Sequence, residues 1–257
     1  MKSIAILLIN LSLYLAVVDL KAQSINFPDE QFKAALIAQG IDANGDGKIQ
    51  KSELTQIKKL HVNNADISSL EGIKNFISLE ELAFLNNHLT TVDLEGMQNL
   101  KYVYGNNNKI KRLLLKGCTN LEVIFMNQNE LSVLDLSGLA ALRDIRINVN
   151  KLTSIDLSKK TKLERVNLFR NQLTTFKAEG SFELKELDLS NNQITEIDLR
   201  PFSQLRDADL NGNPLQKINV TGLAALERLY FEPPIFRASA ITQFNTSGLI
   251  NLKEYKW

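Results

Sequence analysis

Residues 184–194 read Leu184-Lys-Glu-Leu187-Asp-Leu189-Ser-Asn-Asn192-Gln-Ile194. The same pattern returns along most of the chain. Leucine stands at 79, 100, 121, 142, 163, 184, 205 and 226, always 21 residues apart. Eight residues after each of the first seven comes asparagine: Asn87, Asn108, Asn129, Asn150, Asn171, Asn192 and Asn213. The unit is L-x-x-L-x-L-x-x-N-x-L. A fixed period of this kind marks a stack of like units. The L-x-L centre alternates sides and predicts a short strand with its leucines turned inward. The asparagine follows, where the chain must turn. Its amide both donates and accepts, so it suits backbone groups of its own and the neighbouring unit. Losing such a buried amide should cost about 1–3 kcal/mol.

This unit resembles the leucine-rich-repeat family. The resemblance implies an α/β solenoid, right-handed and curved, with a parallel β-sheet on its concave side. The second half of each unit reads L-T-x-I-D-L at 89–94, 152–157 and 194–199. It is expected to pack the convex side in extended or 3₁₀ form, because 21 residues leave little room for a helix. No unit buries its own apolar face, so stability comes from stacking and the ends need caps. The solenoid is expected over 57–257, with a divergent first repeat carrying Ile57, Leu60, Val62 and Ile67. At the other end Pro233 and Pro234 break the period, and Leu252, Tyr255 and Trp257 are expected to form a last strand closing the core.

Residues 23–56 read as a small helical cap around a calcium loop. Asp42-Ala-Asn44-Gly-Asp46-Gly47-Lys48-Ile-Gln50-Lys-Ser-Glu53 matches D-x-[DN]-x-[DN]-G-x₅-E in full. Calcium is a hard cation that takes six to eight oxygens. Asp42, Asn44 and Asp46 offer side-chain oxygens, Lys48 its carbonyl, Gln50 a water-mediated contact and Glu53 a two-oxygen closure. The alternative is a metal-free turn held by packing. One helix is expected from Asp29 to about Gln39, and a second from Ser52 with Leu54, Ile57 and Leu60 on its apolar face. A lone loop points to a structural ion and not a sensor. An EF-hand-like cap running into short repeats resembles the internalin type of bacterial surface protein, and similar caps occur in secreted repeat proteins of other bacteria. That resemblance implies adhesion or surface recognition. No C-terminal wall-anchoring segment is visible.

Residues 1–22 read as a secretory signal: Lys2, an apolar stretch over 4–18 and a cut after Ala22. Leu20 fits the cut poorly, and an uncleaved anchor is the rival reading. No later stretch could span a bilayer. The expected location is secreted, periplasmic or at the cell surface. Net charge is +1, against a general nucleic-acid or membrane-surface binder. The lone Cys118 excludes an internal disulfide. It aligns with Met97, Leu139, Phe202 and Leu223, a core position.

The residues flanking the inward leucines should face the concave surface. Leu85, Tyr102, Tyr104, Val123 and Phe125 fall on adjacent strands with Arg146 beside them, the composition of a binding hot spot. Aromatics that merely shield a β-surface are the plainer alternative. A second patch holds Glu186, Asp188, Asp207 and Asp209. Asp188 and Asp209 have no evident cation beside them, which suits a basic partner or a second cation. Catalysis is not expected. His61 and His88 lie in different repeats with no serine or cysteine in register, and Asp188 and Asp209 lie on an open sheet. The reading is a non-enzymatic, monomeric recognition or adhesion protein with a protein ligand. A carbohydrate- or matrix-binding module and a structural envelope protein are the alternatives.

Overall fold

A computed structural model describes residues 24–232, 234, 241, 243–245 and 247–256. The signal-sequence reading, Pro233 and Trp257 lie outside the described residues. Ten three-residue strands form one parallel sheet, entered at Lys59–His61 and left at Glu254–Lys256. The strands of the regular units sit at the same place in each, from Glu81–Ala83 through Arg228–Tyr230. They pair without slippage. Glu81, Tyr102, Val123, Asp144, Arg165, Glu186, Asp207 and Arg228 are partners in turn. The middle residue of every strand from Lys59–His61 to Arg228–Tyr230 is buried, as are the flanking leucines Leu79, Leu100, Leu121, Leu142, Leu163, Leu184, Leu205 and Leu226. Burial of a leucine side chain is worth about 1.5–3 kcal/mol, and one apolar core runs through all the coils.

The convex side is extended, with short parallel strands at Thr91–Asp93 and Arg112–Leu114, and again at Glu196–Asp198, Lys217–Asn219 and Gln243–Asn245. Between them the convex ladder is interrupted.

The repeat asparagines stand in the interior. Six are buried and Asn108 is half-buried. Each amide nitrogen donates to the carbonyl three residues before it and to the equivalent carbonyl of the preceding coil. For Asn192 these are Leu189 O at 2.9 Å and Leu168 O at 3.0 Å. Its Oδ1 accepts Leu173 N at 2.9 Å. Leu168 O also accepts Asn171, so each such carbonyl joins two asparagines and the pattern runs unbroken between coils.

The residue before each asparagine adopts a left-handed backbone: Asn86, Asn107, Gln128, Val149, Arg170, Asn191 and Gly212. Asparagine and glycine suit this region, but Val149 at φ 53° does not, because a β-branched side chain crowds the backbone there. The residue is 37% exposed, well short of the burial of the core valines. Val149→Asn is expected to stabilise the protein by about 1 kcal/mol, raising the melting temperature by roughly 2–4 °C. Thermal unfolding followed by circular dichroism measures this, and an unchanged or lower value counts against strain at 149.

At the N-terminal end helix α1 spans Glu30–Ala38 and buries Phe32 and Leu36. Asp29 caps it, with Oδ1 accepting Phe32 N at 2.9 Å. Its Oδ2 accepts Ser68 N and Ser69 N at 2.7 and 2.8 Å, which ties the helix to the first coil. Burial works against the Asp29 charge, yet the N–H groups of Phe32, Ser68 and Ser69 hold its pKa below the usual aspartate value. The second helix, α2, is only Lys51–Leu54 and is capped by Gln50. The longer helix expected from Ser52 stops early because Leu60 belongs to the first strand of the sheet, where its partner is Leu82. The last strand also departs from expectation. Tyr255 pairs with Leu229 by backbone, but its side chain is 56% exposed and does not close the core.

Candidate functional site

The first and third residues of each concave strand project from the sheet, because alternate side chains take opposite faces. Register puts Ala83, Tyr104, Phe125, Arg146, Asn167, Asp188, Asp209 and Tyr230 in one row. The Tyr104 and Phe125 rings meet edge-on with centroids 5.3 Å apart, a geometry that aromatic quadrupoles favour. The Arg146 guanidinium lies 4.6 Å from the Phe125 centroid. It is fixed there by Asp144, which takes Arg146 Nε and Nη2 at 3.0 Å each and Arg165 Nε at 2.8 Å. Asp144 is only 4% exposed, so two arginines brace one buried carboxylate and need no reordering on contact. Tyr102 and Val123 lie half-buried on the same strands, and Leu85 is half-buried at the rim. Burial pushes the Tyr104 hydroxyl above its ordinary pKa.

Beyond Arg146 the row becomes acidic. An open depression of about 390 Å³ is lined by Arg165, Asp188, Asp209, Arg228 and Tyr230 among others, a feature the linear reading did not expect on this sheet. Asp188 accepts Asn167 Nδ2 at 3.1 Å and both the N–H and hydroxyl of Ser190 at 2.9 and 2.6 Å. Asp209 accepts Asn211 N at 2.9 Å. Burial raises the pKa of Asp209, and the neighbouring Asp188 and Glu232 charges add to the rise. Among the described residues neither has an ion-pair partner. Asp207 differs, since Arg228 lies directly against it.

The rim residues Asn106 and Asn127 accept the backbone N–H of Asn127 and Asn148 at 2.8 and 3.1 Å, so they join the coils.

In the 42–53 loop the oxygens hold the backbone in a ring. Asp42 accepts the N–H of Gly45, Asp46 and Gly47. Asp46 Oδ1 accepts Lys48 N, and Glu53 accepts Ala43 N and Gln50 N at 2.8 Å each. The Asn44 and Gln50 amide nitrogens both approach Asp46 Oδ2, at 3.3 and 2.9 Å. Gly47, at φ 76°, makes the bend. Among the described residues no three His, Cys, Asp or Glu side chains stand together as a cluster. The donors are all hard oxygens, the chemistry calcium takes.

The pattern of the family described as Leucine Rich Repeat matches residues 183–205. No curated protein matches. Among solved structures, the chain is similar to a leucine-rich-repeat protein of Leptospira interrogans, at 18% identity and TM-score 0.63 over 80% of this chain. It spans 62% of that protein's chain. It is also similar to internalin C2 of Listeria monocytogenes, at 18% identity and TM-score 0.67, covering 91% of this chain and 97% of that one. At these identities the likeness is one of fold: a parallel leucine-rich-repeat solenoid. No described helix is long and apolar enough to cross a membrane.

Proposed function

From a leucine-rich-repeat solenoid with a braced aromatic patch on its concave sheet, we propose a non-enzymatic recognition protein that grips a protein partner by that sheet. The observation that carries this is the Tyr104–Phe125–Arg146 stack, held in place by the buried Asp144. Rigid aromatics and arginine lose little freedom on binding and bury much area, which is how interface hot spots act. Asp188 and Asp209, free of ion pairs among the described residues, add a place for a cationic side chain of the partner. The setting is secreted, periplasmic or at the cell surface, and the chain acts in adhesion or surface recognition. A sugar or matrix polymer stacking on Tyr104 is the second reading, favoured by the half-buried, edge-on rings on the open face. Immobilised protein challenged with a glycan array and, separately, with native secreted and surface proteins separates the two. A protein retained by the native chain but not by Phe125→Ala supports the first. Retention of glycans alone overturns it.

The 42–53 loop is proposed to hold one structural calcium ion through Asp42, Asn44, Asp46, the Lys48 carbonyl, Gln50 and Glu53. The ion would take the place of the two amide N–H groups now facing Asp46. Chelation with EDTA should lower the melting temperature, and re-addition of calcium should restore it. An affinity of about 10⁻⁴–10⁻³ M suits an extracellular module, so millimolar calcium stabilises by about 1 kcal/mol. An unchanged melting temperature, with no calcium in the purified protein, removes the ion from the account.

A further inference from the structure

On the convex side, coils are joined where an N–H meets the carbonyl twenty residues on. Leu94 N reaches Leu114 O at 3.0 Å and Gly96 N reaches Lys116 O at 2.8 Å. Leu157 N and Lys159 N reach Lys177 O and Glu179 O at 2.9 and 2.7 Å. The same register would join Leu136 N to Asp156 O and Gly138 N to Ser158 O. Those two bonds are not made, nor are the equivalent ones from Leu115, Gly117, Ala178 and Gly180; the Leu136 and Gly138 N–H groups find no acceptor among the described residues, and what sets their gap apart is the lysine beside it. A cleft of about 460 Å³ lies between the coils there, walled by Leu134, Leu136, Leu139, Ala140 and Lys160.

Lys160 does not belong to its surroundings. It falls in the column of Met97, Cys118, Leu139, Ser181, Phe202 and Leu223, all of them buried. It is itself only 6% exposed, and its ammonium makes one long contact, to Ser158 O at 3.4 Å. Asp135 and Asp156 at the mouth are engaged with Ser137 N and Ser158 N, at 2.8 Å each. Neither forms an ion pair with Lys160 among the described residues. Burial lowers its pKa, with Asp156 and Asp135 opposing. Ser181, the other polar member of the column, is satisfied by Leu157 O at 2.9 Å, so Lys160 alone lacks a good partner there.

Three donors therefore face one cleft over an apolar floor: the Lys160 ammonium and the N–H groups of Leu136 and Gly138. Few convergent polar groups on a mostly apolar wall are the marks of a small-ligand site. The missing component is an acceptor, and a charged one suits a buried ammonium. The Asp135 and Asp156 carboxylates would repel a multiply charged anion. We propose that this cleft binds a small aliphatic monocarboxylate. Its oxygens rest on Lys160 and the two N–H groups, and its hydrocarbon tail lies along Leu134, Leu136 and Leu139. The site lies on the opposite side from the concave sheet and stands or falls independently of partner recognition there.

The test is a titration of the isotope-labelled full chain, followed through the Leu136 and Gly138 amide resonances. The probes are sodium hexanoate, hexylamine and inorganic phosphate, added separately. Hexanoate should shift both resonances saturably in the millimolar range, with no such shift from the other two. Lys160→Met should raise the melting temperature, since it returns the column to its apolar type, and should abolish the hexanoate response. Should that variant fail to fold, Lys160→Gln keeps a donor without the charge and should bind about tenfold more weakly. A Gly138 resonance that hexanoate leaves in place, a response to phosphate alone, or equal hexanoate binding by the Lys160 variants overturns the proposal.

Discussion

Asn150→Ala should destabilise the protein by about 2–4 kcal/mol, lowering the melting temperature by roughly 5–15 °C. Asn150 sits in the middle of the stack and is 8% exposed. Its amide nitrogen reaches Met126 O at 2.8 Å, Asn148 O at 3.2 Å and Ile147 O at 3.4 Å, while Oδ1 accepts Leu131 N at 2.9 Å. Alanine leaves Leu131 N with no partner in a dry interior. Met126 O and Ile147 O keep only their bonds to Asn129 and Asn171. A small void adds to the cost. Neighbouring coils stabilise one another, so damage at the centre weakens both halves. Asn99→Ala is the control: its amide bonds Ile77 O at 2.8 Å from an exposed position and should cost less than about 1 kcal/mol. Urea unfolding of both variants decides the matter, and equal losses would deny the interior asparagines their role.

The second large effect falls on binding. Phe125→Ala and Tyr104→Ala should each weaken capture of the partner by about 30- to 1000-fold, the 2–4 kcal/mol of a hot-spot residue. Phe125 carries more of this because its loss also removes the ring under Arg146. Asp144 should hold Arg146 near its place, so the effect comes from lost contact and not from a disordered sheet. Both rings are half-buried on the open face, and the melting temperature should fall less than in Asn150→Ala. Surface plasmon resonance with the captured protein measures the change. If both variants bind like the native chain, the aromatics only shield the sheet and the concave-face reading is lost.

The solenoid was legible because its two strongest demands recur in every unit. Leucines must be buried, and the turn after each strand must satisfy backbone groups, so both requirements write themselves at a 21-residue spacing. The left-handed residue before each asparagine was not legible. Asn, Gln, Val, Arg and Gly all occupy it, because the backbone requirement leaves the side chain pointing outward. Lys160 escaped notice because its column was recognised by its apolar members, and a flexible lysine fits such a space in length if not in charge. Asp29 was read as a helix start, but its bonds to Ser68 and Ser69 join residues about forty apart, which no local pattern encodes. Alternation and the fixed period put the strand residues into rows, and the strands pair in that register. Alternation did not reveal that Asp144 is the buried brace of the patch while Asn106 and Asn127 serve the backbone, since both depend on distances between strands.

The asparagine spine also sets how the molecule answers a pull. Its bonds between coils link only adjoining ones, as when Asn192 reaches back 24 residues to Leu168, and none skips a coil. Under tension applied to the ends, force passes from coil to coil through these amides, and the outermost coil peels first. Each release would free about 70 Å of extended chain and leave the inner coils still bonded to one another. Extension in such steps dissipates load without unfolding the whole stack at once.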